Sequence, residues 1–142
     1  MWKKLLAIAF VVVFVFCSAT IFVSAEELET PIEEELIEEY ENTIDSSIFL
    51  FSQNGRAKIT VSILGKSSTK FKSGTLKLYK YENGTWSTIK TWTNLSSSTN
   101  TFLFNDNTVA VQSGAKYKVK ITITAYTSST SERIVLDTIK TL

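Results

Sequence analysis

From position 46 onward, apolar and polar residues alternate in short runs, a period of two that predicts β-strands. In one run Ala57, Ile59, Val61 and Ile63 interleave with Lys58, Thr60 and Ser62. In another, Tyr117, Val119, Ile121 and Ile123 interleave with Lys116, Lys118, Lys120, Thr122 and Thr124. Shorter runs at residues 48–51, 76–81, 86–92, 101–104 and 133–140 bring the predicted strands to seven. Thr, Ser, Val, Ile and aromatic residues dominate this region, and the single proline, Pro31, lies before it. Asn54-Gly55 is a turn signal and Asn83-Gly84 a hairpin signal, because both residues of a tight type I′ turn need positive φ. Residues 65–74 read as a polar connection, and residues 105–107 and 128–131 as turns. The pattern predicts an all-β, antiparallel sandwich of about seven strands over residues 46–142, with one face of each sheet in the core.

The preceding segment has a different period. Leu28, Ile32, Leu36, Tyr40 and Ile44 recur every four residues, with Ile37 beside them. Thr30 as N-cap, Pro31 at the first helical position and Glu33 as the capping-box acid complete the grammar of a helix. Residues 26–45 therefore read as an acidic linker or a short amphipathic helix, ordered only if its apolar stripe meets a surface.

Residues 1–25 read as a signal peptide. Lys3 and Lys4 precede an apolar run from Leu5, and Val23-Ser24-Ala25 offers the small residues of a cleavage site. The expected location is secreted or cell surface. The alternative is an N-terminal membrane anchor, because residues 5–23 approach the length of a bilayer span and would give the only membrane contact. Cys17 follows residues too bulky for a lipidation motif and reads as part of the apolar run.

Charge sharpens the division. The net charge of +1 conceals ten acids and no base in residues 26–45, against thirteen bases and four acids in residues 46–142. The single cysteine, Cys17, lies in the signal, so the sandwich has no internal disulfide and must rely on its apolar core. Histidine is absent, which removes the commonest general base and metal ligand.

Two stretches carry a family resemblance. Val111-Gln112-Ser113-Gly114-Ala115-Lys116-Tyr117-Lys118-Val119 resembles the turn into the sixth strand of fibronectin-III and immunoglobulin-like domains. Residues 76–92, with their Leu-x-Leu-x-Lys-Tyr run, Asn-Gly turn and paired tryptophans, resemble small secreted bacterial proteins of unknown function with such a sandwich. The resemblance covers roughly residues 46–142 and implies that Tyr117 anchors a corner; it implies no activity. The paired cysteines of true immunoglobulin domains are missing.

The Asn83-Gly84 hairpin yields the candidate ligand face. A two-residue loop sets Tyr81 opposite Trp86, Tyr79 opposite Thr88, Lys77 opposite Lys90 and Thr75 opposite Trp92, all on one side. Leu76, Leu78 and Ile89 then face the core. The expected face is Tyr79, Tyr81, Trp86, Trp92, Lys77 and Lys90. It admits three readings: ordinary decoration of a sheet, a dock for the acidic segment, or a site for an external glycan or protein.

No catalytic, metal-binding or cofactor constellation is visible. The four carboxylates of the sandwich fall in no motif, Asp106 reads as an Asx-turn residue, and no activating base accompanies the serines. Lys116, Lys118 and Lys120 form a basic stripe, but export and the acidic segment argue against a nucleic-acid partner. The expectation is a non-enzymatic secreted interaction module whose partner is a cell-wall polymer or a protein. The alternatives are a carbohydrate-binding module and a small secreted antagonist of neighbouring cells.

Overall fold

The computed structural model describes residues 40–142. The expectations for a signal, an anchor and an acidic helix fall almost wholly on residues 1–39 and lie outside the described residues. Seven strands follow in order: β1 (Thr43–Gln53), β2 (Arg56–Gly65), β3 (Lys70–Glu82), β4 (Thr85–Ser97), β5 (Thr101–Asp106), β6 (Lys116–Tyr126) and β7 (Ser131–Thr141). They form a three-stranded sheet in the order β1-β2-β5 and a four-stranded sheet in the order β4-β3-β6-β7, with every pairing antiparallel. This is the expected β-sandwich.

The alternating positions become its interior. Ile59, Val61 and Ile63 of β2 are fully buried, as are Val119, Ile121 and Ile123 of β6 and Leu76 and Leu78 of β3. Phe71 and Phe102 pack between them with ring centroids 6.1 Å apart. Each such side chain contributes roughly 1.5–3 kcal/mol on burial, and this replaces the missing disulfide as the main source of stability.

Both Asn-Gly pairs form the expected tight turns, with φ of 52° and 72° at Asn54 and Gly55 and of 52° and 80° at Asn83 and Gly84. Tyr117 is buried, and its hydroxyl accepts a 2.8 Å hydrogen bond from the Gln112 backbone N–H. That bond fixes the corner before β6. Gly114, at φ 79°, donates its N–H to the Leu142 carbonyl, and the Leu142 N–H donates to Ala115 at 3.0 Å.

Three local expectations are corrected. Ile44 was the last member of the four-residue stripe, yet it lies in β1, which begins at Thr43 rather than after residue 45. Pairing with β2 overrides the helical period there. The first anchor comes earlier still. The Tyr40 hydroxyl donates to the Val135 carbonyl (3.0 Å) and accepts from the Val135 N–H (3.1 Å). The Glu132 carboxylate accepts the N–H groups of Glu41 (2.7 Å) and Asn42 (2.6 Å).

The second correction concerns residues 65–74, whose latter half is strand. β3 begins at Lys70, and bulges around Gly74 break the alternation that would have revealed it. Gly74 is needed at this point: a Cβ there would lie 2.8 Å from the Leu95 Cβ and 2.9 Å from the Leu95 carbonyl oxygen. The third correction is in β4. Ile89, expected in the core, is 43% exposed. An extra residue in β4 shifts the register between the Tyr79–Thr88 and Leu78–Lys90 pairs, and Lys90 and Trp92 beyond it change face.

Candidate functional site

The register shift divides the expected ligand face. Close to the Asn83-Gly84 turn the pairing is as expected, with Tyr81 opposite Trp86 and Tyr79 opposite Thr88. Along β3, Leu76 and Leu78 point inward, so Lys77, Tyr79 and Tyr81 point outward. Tyr81 and Trp86 pack with ring centroids 5.0 Å apart and planes tilted by 56°. Pairs of this geometry are worth about 0.5–1.5 kcal/mol beyond their area.

Lys90 and Trp92 are not on that face. Beyond the bulge Lys90 pairs with Leu78 and Trp92 with Leu76, both buried, so both side chains turn toward the second sheet. Trp92 packs against the core and meets Phe104 of β5 edge-on at 5.5 Å. The Lys90 ammonium lies over the Trp92 ring at 4.8 Å, donates to Thr108 Oγ1 at 2.7 Å and stands 4.0 Å from the Asp106 carboxylate. Asp106 in turn accepts the Thr108 N–H at 2.9 Å, the local bond expected of an Asx turn. Lys90 and Trp92 thus close the gap between edge strands β4 and β5. The anticipated Lys77–Lys90 pair does not form; Lys77 faces Thr91 on one side and Lys120 on the other.

Strand β6 supplies what the hairpin alone did not show. It lies beside β3, with Lys118 opposite Tyr79 and Lys120 opposite Lys77. The Lys118 ammonium stands 4.8 Å from the Tyr79 ring centroid and 4.6 Å from that of Trp86. Lys116 lies 5.5 Å from the Tyr81 ring. Exposed cation–π contacts are worth about 0.5–1 kcal/mol each. The lysine stripe was visible as an alternation, but its place beside the aromatic hairpin depends on a pairing across nearly 40 residues of chain.

The assembled face therefore holds Tyr79, Tyr81 and Trp86 under Lys116 and Lys118, with Lys77 and Lys120 adjoining. Its charge is one-sided. Lys70, Lys72, Lys77, Lys116, Lys118, Lys120 and Arg133 occupy outward positions, against Asp137 opposite Lys120. Lys72 also lies over a ring, 4.5 Å from the centroid of Tyr126. Among the described residues the two ion pairs, Lys80–Glu82 and Lys90–Asp106, lie at inward-facing positions. The hydrogen bond that the Lys80 ammonium donates to the Glu82 carboxylate, at 2.5 Å, raises the Lys80 pKa above the ordinary lysine value. Among the described residues no three His, Cys, Asp or Glu side chains cluster as metal ligands would. No protein-family model matches the chain, and no curated protein is significantly similar to it.

Proposed function

We propose that this protein is a non-enzymatic interaction module of the exported or cell-surface kind, and that its binding surface is the outer face of the four-stranded sheet. The observation that carries this reading is the grouping of Tyr79, Tyr81 and Trp86 with Lys116 and Lys118 on one rigid sheet face. Aromatic rings give flat contact area at low entropic cost, and a sheet holds them in place without a ligand. Export rests on the reading of residues 1–25. Kinship with fibronectin-III and immunoglobulin-like domains is supported by the strand order and by the Tyr117 hydroxyl bond at the corner before β6. The fourth strand pairs with the third rather than joining the first sheet, unlike the constant-type immunoglobulin arrangement.

The partner in this reading is a cell-wall polymer or a protein at a cell surface. Carbohydrate recognition is the closest alternative, since Trp86 and Tyr81 are the residue types that stack on sugars. The antagonist reading draws only on size and export. The test is retention of the purified protein on intact cells and isolated envelopes. Trp86→Ala and Tyr81→Ala should each weaken retention at least about fivefold, within the range of interface aromatics, while the circular dichroism spectrum stays unchanged. Retention that ignores both substitutions, or none at all, would overturn the reading.

A further inference from the structure

We propose that the ligand of this face is a linear anionic polysaccharide, held through Lys77, Lys116, Lys118 and Lys120; the inference rests on the reading of the face as the binding surface. Four observations lead to it. First, among the described residues the outward positions of the four-stranded sheet carry seven cations against Asp137 alone, and the ion pairs that neutralise Lys80 and Lys90 lie elsewhere. A flat surface with one sign of charge attracts and orients a chain of the opposite sign.

Second, the ring faces are already occupied. The Lys118 ammonium rests over both Tyr79 and Trp86, and that of Lys116 over Tyr81. A neutral sugar stacking on these rings would first displace the lysines and lose about 0.5–1 kcal/mol per contact. An anionic group meets the ammonium ions where they already are. The rings fix the long lysine side chains, which reduces the rotamer entropy lost on binding.

Third, Lys116, Lys118 and Lys120 recur at every second residue of one strand, about 6.6 Å apart. Lys77 adjoins the row from β3, and Thr122 and Thr124 continue it with hydroxyl groups. A row of this kind matches charges repeated along an extended chain rather than a compact anion. Fourth, the rings of Tyr79 and Tyr81 lie beside the lysine ammonium ions, and a phenol hydroxyl can hydrogen-bond to a sugar hydroxyl next to an anionic group. Single-stranded nucleic acid is the less suited polyanion, because its affinity draws on bases stacking upon free ring faces.

The experiment titrates the full-length protein with a sulfated dextran oligosaccharide, a polygalacturonate oligosaccharide and neutral dextran of matched length, the first two separating sulfate from carboxylate recognition. At least one anionic probe should bind, with affinity falling steeply as salt rises, and neutral dextran should not. Lys118→Gln with Lys120→Gln should lower affinity about tenfold or more, because two neutralised contacts are lost. Arg56→Gln with Lys58→Gln removes equal charge from the outer face of the three-stranded sheet and should leave affinity within about twofold. Equal losses from the two double variants would reveal diffuse attraction and overturn the proposal. So would binding of neutral dextran, or tighter binding of single-stranded DNA. If Trp86-dependent retention on cells persists while neither anionic probe binds or competes, the proposal falls and the binding-face reading stands.

Discussion

The outer faces of the two sheets are built differently, although both expose aromatic rings. On the four-stranded sheet Tyr79, Tyr81 and Trp86 lie against one another or beneath lysine ammonium ions, so the surface presents charge above a ring platform. On the three-stranded sheet the outward residues of β1, β2 and β5 include Phe49, Phe51, Leu64 and Leu103, with Phe49 57% and Leu103 65% exposed. Lys58 lies beside Phe51 in the ladder, yet the cation–π contacts among the described residues all belong to the other sheet and its edge. Exposed apolar area is therefore a poor guide to chemistry here. Among the described residues the greasier face holds no cation over a ring, whereas the other sets its lysines over aromatic rings, the arrangement on which the proposed binding surface rests.

The sharpest way to break this comparison lies within β4, where two tryptophans six residues apart face opposite ways. Trp92→Ala removes a ring packed on the core and should cost about 2–4 kcal/mol in urea unfolding. Trp86→Ala should cost less than about 1.5 kcal/mol, the scale of a surface aromatic pair. Equal costs would mean that the bulge does not separate the faces. Next in size, Gly74→Ala forces a Cβ against Leu95 and within 3.0 Å of Ile123 Cδ1. It should destabilise by about 1–3 kcal/mol, seen as a lowered urea midpoint.

A smaller effect is expected on the three-stranded sheet. Phe49→Thr combined with Leu103→Thr should reduce binding of a hydrophobic dye, with each change shifting stability by no more than about 0.5 kcal/mol. A larger loss would show these residues to be part of the packed structure. The smallest effect concerns pH. Because Glu82 raises the Lys80 pKa in the folded state, this contribution is fully present below the ordinary lysine pKa of 10.5 and fades as pH rises through the raised value. Lys80→Gln should flatten that alkaline slope in pH-dependent melting without altering ligand binding.

The strands were legible because each sheet has one dry face, and a dry face writes a period of two into the chain. Both Asn-Gly turns were legible for a similarly local reason, the positive φ they demand. The start of β3 was hidden because Gly74 and its neighbouring bulges interrupt the alternation between Phe71 and Leu76. At the candidate face, the placing of Tyr79, Tyr81 and Trp86 followed from the turn, whose influence on register extends to the first irregularity and no further. Lys90 and Trp92 lie past the inserted residue, which nothing in their own pattern announces. Lys116 and Lys118 were recognisable as an outward stripe, but alternation does not tell which distant strand lies alongside. Ile44 shows the reverse error: a stripe of period four continued by coincidence into a residue that β1 claims.

The Tyr40 hydroxyl has a consequence for how this protein meets other chains. β7 ends the four-stranded sheet, and the backbone N–H and C=O of an outermost strand are what a foreign segment would need to extend it. Tyr40 engages both groups of Val135, midway along that border, with a single phenol. A newcomer annealing there would first have to evict it. At Val135 the sheet border is thus occupied from within the chain, and strand addition there competes with a bond already made.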